Sequence, residues 1–422
     1  MAEHADALGN VRYLEFGEMI VGPWAGLMMA LFGAEVIKVE SGYRLDMTRR
    51  AGVTAGGGRV AAYIPGHRIP EGMLTDTPVF NWVNLNKKGI TLNLGKPEGI
   101  GLAKRLIEVS DVMVETYRPG VMDRLGLGYA DAVKLRPDII YVSSSAVGYN
   151  SSGLEAEQLG YGPLFRALGG LGYLTGYPDA PPGEGLGRDD VLAGTMISTA
   201  VMMALIYRQN TGEGQFIDFS AREGISFLIG DSFMEAALGG SDPCRDGNLD
   251  ELMSPHNCYR CRDEGMDRWI SIAVGTDEEW ASFCSAIGSP EWTRDERFRD
   301  AAGRLRNRDE LDRLVEAWTV EHTDREAMEI LQAPGVAAVP SFSIDELWAD
   351  PHLGERGVFE IVEHPVLGAQ PLVRPPCRLS LTPQRIKSHG TMLGQYNRQV
   401  YGELLGLTDG EIADLVEKDV IY

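Results

Sequence analysis

Two kinds of apolar stretch alternate along the first third of the chain. Val11 to Ile20 alternates loosely and stops at Gly22-Pro23, the pattern of a strand followed by a turn. Trp24 to Phe32 is rich in Ala, Leu and Met and predicts a helix, with Gly33 in the position of a helix C-terminal glycine. Glu35-Val36-Ile37-Lys38-Val39-Glu40 is β-branched and predicts the next strand. A strand–helix–strand unit predicts parallel pairing through a right-handed crossover. Residues 51–78 break the pattern, because Gly56-Gly57-Gly58 and three prolines mark a long loop, either a contact arm or an insertion. The pattern resumes from Phe80 to Asn93. A helix from Pro97 to Val109, a strand at Val112 to Glu115, helical turns at Met122 to Leu125 and Ala130 to Leu135, and a strand at Ile139 to Ser144 follow. Such alternation predicts α/β architecture with a mainly parallel sheet.

Further on, Asp190 to Gln209 is apolar on most faces and predicts a long buried helix. A tight turn at Thr211 to Gln215 leads to the strand Phe216 to Phe219, and Ala221 to Ala237 reads as one helix. Residues 238–256 are polar and read as a linker. A smaller mixed block follows, with strands at Trp269 to Val274 and Val336 to Val339 and helices near 277–287, 308–321 and 324–333. Two short helices, Asn397 to Leu405 and Asp409 to Lys418, lie in a C-terminal segment too small to form a domain.

Composition narrows the function. The 422 residues are 44% apolar and 24% charged, enough for a large core, and a net charge of −22 makes nucleic acid an unexpected partner. Five scattered cysteines fit a reducing cytoplasm rather than a disulfide framework. Cys258-x-x-Cys261 with His256 has half the spacing of a zinc site, but a second ligand pair is missing, so no metal is expected. No charged-then-apolar leader opens the chain and no apolar run approaches membrane-spanning length, so the expectation is a soluble, cytoplasmic protein with no membrane partner. Neither a Gly-x-Gly-x-x-Gly after the first strand nor a P-loop is present. A ligand is still expected at the carboxyl ends of the strands, where Lys87, Arg118 and Arg124 lie in the departing loops.

An ordered set of motifs resembles one family. Gly22-Pro23 through Gly33-Ala34-Glu35-Val36-Ile37-Lys38-Val39-Glu40, Asn84-Leu85-Asn86-Lys87-Lys88, Glu115-Thr116-Tyr117-Arg118-Pro119-Gly120 and Arg124-Leu125-Gly126-Leu127-Gly128-Tyr129 resemble the class III CoA-transferases, the CaiB/BaiF family. Thr211-Gly212-Glu213-Gly214-Gln215, Asp295-Glu296-Arg297-Phe298, Leu393-Gly394-Gln395-Tyr396-Asn397 and Leu404-Leu405-Gly406-Leu407 extend the resemblance to about Val11–Tyr422. It implies a Rossmann-like large domain built from both ends of the chain, a smaller α+β domain from its middle, and two subunits interlocked like linked rings. The corresponding division is 1–220 for the first part of the large domain, 221–255 a linker, 256–340 the small domain, and 341–422 a linker and return. The implied chemistry moves CoA from an acyl-CoA, succinyl-CoA foremost, to a free acid such as benzylsuccinate, as in anaerobic toluene breakdown. An aspartate carries the acyl group as a mixed anhydride, and CoA is substrate rather than cofactor.

The resemblance also fixes a departure. Where the family has Gly-Tyr-Asp or Gly-His-Asp, this chain has Gly160-Tyr161-Gly162, with Arg166-Ala167-Leu168-Gly169-Gly170 holding the register. Gly162 has no side chain to attack a thioester. The family's α-methylacyl-CoA racemases use an Asp in the same slot with a His partner, and no histidine lies between His67 and His256, so racemisation is disfavoured. Some members are heteromers in which one of two related chains lacks the Asp. The resemblance therefore implies a non-catalytic subunit, with a related chain carrying the aspartate as partner in a heterodimer or heterotetramer. Two alternatives stay open. One is a homodimer with a relocated carboxylate, for which Glu155, Glu157, Asp179, Asp189 and Asp190 are nearest in sequence. The other is a structural partner that binds no CoA. By resemblance Asn86, Lys87, Tyr117 and Arg124 are the CoA contacts, whereas Ser41 replaces a CoA-contacting arginine.

Overall fold

The computed structural model describes residues 6–49, 77–151, 160–183, 188–239, 244–263 and 265–422. The chain divides into two compact units. One comprises Met1–Gly172, Glu184–Gly240 and Glu355–Tyr422, the other Tyr173–Gly183 and Ser241–Gly354.

The first unit is built on six strands: β1 (Arg12–Phe16), β2 (Glu35–Glu40), β3 (Lys88–Thr91), β4 (Val112–Glu115), β5 (Ile140–Ser145) and β6 (Gln215–Ser220). Their order is β3-β2-β1-β4-β5-β6 and every pairing is parallel. This is the doubly wound order of the Rossmann fold. Successive side chains of a strand point to opposite faces, so the sheet feeds two cores. Tyr13, Val36, Val114 and Val142 pack with Ala25 and Met29 of the Val21–Leu31 helix and Ile197 and Val201 of the Asp189–Thr211 helix. Leu14, Ile37, Met113 and Tyr141 pack instead with Leu102 and Leu106 of the Pro97–Glu108 helix, joined by Val400, Tyr401, Val420 and Ile421 from the end of the chain. The C-terminal segment thus completes the first unit's core. Asn86 clasps it there: its Oδ1 accepts from the Lys387 and Ser388 amides (2.6 and 3.0 Å) and its Nδ2 donates to the Arg385 carbonyl at 2.7 Å.

Several local expectations are corrected. The 23-residue Asp189–Thr211 helix is long and apolar enough to cross a membrane by length and composition, contrary to the expectation that no apolar run approaches that length. Its Ile197, Val201 and Ala204 side is packed into the sheet core. The single helix expected over Ala221 to Ala237 is two, Ala221–Leu228 and Gly230–Ala237, because Ile229 leaves helical backbone. His256 opens strand β7 (His256–Arg260) rather than closing a linker. An antiparallel hairpin, Phe359–His364 with Gly368–Val373, falls where no strand was expected. Most of the 51–78 loop lies outside the described residues; its end, Thr77, caps the Pro78–Val83 helix by accepting from the Phe80 amide at 3.1 Å.

The second unit is an antiparallel sheet of β7, β8 (Trp269–Ala273) and β9 (Ala337–Pro340), packed around Tyr259, Ile270, Phe283, Phe298, Leu311 and Leu331. Thr276 with Glu279 and Thr323 with Glu326 form reciprocal capping boxes that start two of its helices.

A buried charge cluster sits under the carboxyl ends of β1 and β2. Lys38 donates to Glu15 Oε1 at 3.1 Å and to the Gly17 carbonyl at 2.7 Å, with Asp46 Oδ2 at 3.3 Å. Lys87 donates to Glu15 Oε2, the Pro23 carbonyl and Asn84 Oδ1 at 2.8, 2.7 and 3.0 Å. All four charged groups are at most 2% exposed, and two carboxylates balance two ammoniums. Gly26 makes room for them, since a β-carbon there would stand 2.1 Å from Glu15 Oε2. Gly26→Ala gains about 1 kcal/mol of helix propensity, yet must push Glu15 off both lysines. The expected net loss is about 2 kcal/mol or more, read as a lower urea midpoint. An unchanged midpoint would show that the cluster has slack.

Candidate active site

In a doubly wound sheet, ligands bind outside the carboxyl ends of the strands where the order reverses. Here the reversal lies between β1 and β4, whose departing loops open a cleft of about 200 Å³. Glu18 and Met19 come from the β1 loop, Thr116 to Pro119 from the β4 loop, and Ser144 to Val147 from the end of β5. Gly160, Tyr161, Phe165 and Asp190 also line it.

Gly162 is buried as the first residue of the Gly162–Leu168 helix. A β-carbon at this position would stand 3.3 Å from Asp190 Oδ1 and 3.4 Å from the Asp190 carboxyl carbon. Asp190 belongs to the first turn of the Asp189–Thr211 helix and is 9% exposed. Its carboxylate makes no hydrogen bond or ion pair among the described residues. Burial, and secondarily the charge of Asp189, pushes its pKa up to about 6. Asp189 differs in kind, since Arg166 Nη1 holds it at 3.0 Å and it does not line the cleft. Of the other carboxylates near Gly162 in sequence, Glu155 and Glu157 lie outside the described residues, and Asp179 is exposed in the second unit.

A second cleft of about 210 Å³ adjoins the first and shares Glu18, Arg44, Tyr117 and Val121 with it. Lys38, Ser41, Asn93 and Leu125 lie along it. Tyr117 stands half-buried between the clefts; burial, then the nearby Glu18 charge, pushes its phenol well above the ordinary range. Arg124 ends the short Val121–Arg124 helix beside the second cleft and is exposed, its guanidinium unpaired among the described residues. Ser41 Oγ is 3.1 Å from the Tyr422 hydroxyl. Asn86 and Lys87 stand apart from both clefts' linings, their side chains engaged by the protein as described above. Burial draws the Lys87 ammonium down to about 8 against the pull of Glu15. The meeting of Gly162 with Asp190 has no signature in the sequence beyond the presence of an acid 28 positions on.

Among the described residues, no group of three or more His, Cys, Asp or Glu side chains is placed to hold a metal ion. Cys261 is buried, and burial pushes its thiol up to about 12.

An α/β unit of this strand order, with a cleft at its switch point and a carboxylate at the cleft wall, defines a ligand-binding enzyme scaffold. Residues 8–397 match the model of CoA-transferase family III, and the chain belongs to that family. Succinyl-CoA--D-citramalate CoA-transferase of Chloroflexus aurantiacus is 34% identical over 98% of this chain and 98% of its own length. Succinyl-CoA--L-malate CoA-transferase beta subunit of the same organism is 30% identical, again over 98% of each. A crystal structure of a CaiB/BaiF family protein from Brucella suis superimposes with a TM-score of 0.82 at 29% identity, covering 94% of this chain and 99% of that one. The chain is a CoA-transferase of the α/β architecture expected from its sequence.

Proposed function

We propose that this chain moves CoA from succinyl-CoA to a succinate-like dicarboxylic acid substituted at C2, with thioester and acid meeting in the cleft between the β1 and β4 loops. The observation that carries the reading is the Asp190 carboxylate, unpartnered among the described residues and beside Gly162, on a residue that lines that cleft. Citramalate and malate, named for the two relatives, are both C2-substituted succinates. Benzylsuccinate, the acceptor that the sequence resemblance suggested, has the same skeleton. In this reading the CoA nucleotide lies toward the second cleft, with Tyr117 beside the adenine and Arg124 on a phosphate, a pairing suited to a planar, permanently charged guanidinium. Arg124→Ala is then expected to raise the KM for succinyl-CoA about tenfold or more with little change in kcat. Asn86 and Lys87, proposed from resemblance as CoA contacts, serve in this reading to hold the scaffold around the clefts.

A second reading is favoured by Gly162 itself and by the relative named as one subunit of a two-subunit enzyme. In it this chain is the non-catalytic member of a heteromer, and a related chain brings the aspartate. An interlocked assembly suits either reading. Its support is the exposed apolar side chains Met203, Ile206, Phe227, Met234 and Leu238 of the first unit, which a monomer would leave in water.

The test incubates the purified chain, alone and co-expressed with a related Gly-Tyr-Asp chain, with succinyl-CoA and L-malate, D-citramalate, glutarate or benzylsuccinate, and separates the CoA esters formed. New esters of the C2-substituted acids from the chain alone are expected. Esters only from the co-expressed pair would select the heteromer, and none from either would refute the transferase reading.

A further inference from the structure

We propose that Asp190 is the carboxylate that takes up the acyl group in this chain, standing in for the side chain that Gly162 lacks. The inference rests on the CoA-transfer reading above and deepens it by naming the nucleophile.

Four observations lead there. First, Asp190 oxygen lies 3.3 Å from where the β-carbon of residue 162 would be, so its carboxylate occupies the neighbourhood into which a 162 side chain would project. Second, more than nine-tenths of Asp190 is buried, and a buried carboxylate without a partner is costly. Structural acids are normally paired, as Asp189 is with Arg166 and Asp46 with Lys38. Third, Asp190 is one of the residues that line the cleft. Fourth, Ser145 is another residue of the cleft wall, and its hydroxyl, shut from solvent, has no hydrogen-bond partner among the described residues. An acceptor and a donor left unsatisfied in one cleft suit a ligand that offers an electrophilic carbon beside a carbonyl oxygen. Glu18 is the rival carboxylate there, but Arg44 stands 3.6 Å from it. A cation at that distance draws electron density from a nucleophile. The raised pKa of Asp190 still leaves it mainly ionised near pH 7.5, with little water to shed before attack.

The steps balance without an outside reagent. An Asp190 oxygen attacks the thioester carbon of succinyl-CoA; a C–O bond forms, the C–S bond breaks, and the thiolate leaves with the electron pair. The thiolate then attacks the Asp190 carbonyl carbon, forming an aspartyl thioester and releasing succinate. The acceptor carboxylate displaces the thiolate to give a second anhydride. Attack of the thiolate on the acceptor's carbonyl yields the new thioester and frees Asp190. No electron or net proton is exchanged with solvent.

Hydroxylamine trapping tests this on the full chain. Incubation with succinyl-CoA and hydroxylamine, followed by peptide mass mapping, should place a hydroxamate on Asp190. Asp190→Asn should lose the adduct and about a thousandfold of CoA exchange. The double variant Gly162→Asp/Asp190→Asn should recover part of that exchange and move the hydroxamate to position 162, which also shows that the fold survives. An adduct on Glu18 or any other acid, or exchange by Asp190→Asn within tenfold of the unsubstituted chain, would overturn the assignment while leaving CoA transfer intact. Saturable CoA binding with neither adduct nor exchange would overturn it in favour of a partner's aspartate. Failure to bind CoA at all would remove the transferase reading as well.

Discussion

An Asp190→Asn enzyme is expected to bind succinyl-CoA as before while losing about three orders of magnitude in kcat. Asparagine keeps the shape of the side chain, and Asp190 makes no hydrogen bond or ion pair among the described residues that the change would break. Binding contacts therefore stay, and the loss falls on a step made only in the transition state, which lowers kcat and kcat/KM together. The pH dependence carries the same signature. Asp190 must be ionised to attack, and burial sets its pKa at about 6. The acylation rate should fall as pH drops through 6 and level off above it. The residual rate of Asp190→Asn should lack that limb. A merely structural Asp190 would instead raise KM or lower stability and leave the profile in place.

The largest effect on stability is expected at Lys38. Lys38→Met leaves Glu15 with one ammonium rather than two and Asp46 with none, at sites at most 2% exposed. Removing one member of a buried charge set costs about 3–5 kcal/mol, because the remaining charge stays desolvated. Lys38 stands above its ordinary range despite its burial, since Glu15, Asp46 and Glu40 surround it. Asp46 is held below the ordinary carboxylate range despite burial, first by Lys38 and then by Thr48. A lowered carboxylate pKa contributes stability above its unfolded value that is lost as pH falls through the folded one. The gap in urea midpoint between the unsubstituted chain and Lys38→Met should therefore be full at neutral pH and narrow below about pH 4. A gap constant across that range would mean that packing, not charge, is what Lys38 supplies.

Much of the fold could be read from the chain. Parallel strands buried on both faces appear as nearly unbroken apolar runs, and Val112-Met113-Val114 of β4 and Ile140-Tyr141-Val142 of β5 show it. The intervening helices announced themselves by Ala, Leu and Met, and by Pro97 and Gly33 at their ends. Strand β7 escaped because His-Asn-Cys-Tyr-Arg carries one fully buried side chain, Tyr259. The hairpin of Phe359–His364 and Gly368–Val373 escaped because Pro371 lies within its second strand, where proline argues against a strand. At the site, motif register on both sides singles out Gly162 in the sequence. What sequence leaves open is which acid lies beside it. Asp189 and Asp190 are adjacent in the chain, and only the turn of the helix sends one toward Arg166 and the other toward Gly162. Lys87 teaches the same lesson: a basic residue in a strand-end loop looks available for phosphate, yet its three acceptors are protein atoms, one from Glu15 72 positions away.

Oxygen-18 offers the most direct measurement. In a single turnover with succinyl-CoA and an acceptor labelled in its carboxylates, passage through an enzyme carboxylate must leave one acceptor oxygen on the protein. The predicted result is one oxygen-18 in the peptide containing Asp190 and none in that peptide from Asp190→Asn. Acceptor-CoA formed by the chain alone with an unlabelled Asp190 peptide would contradict it.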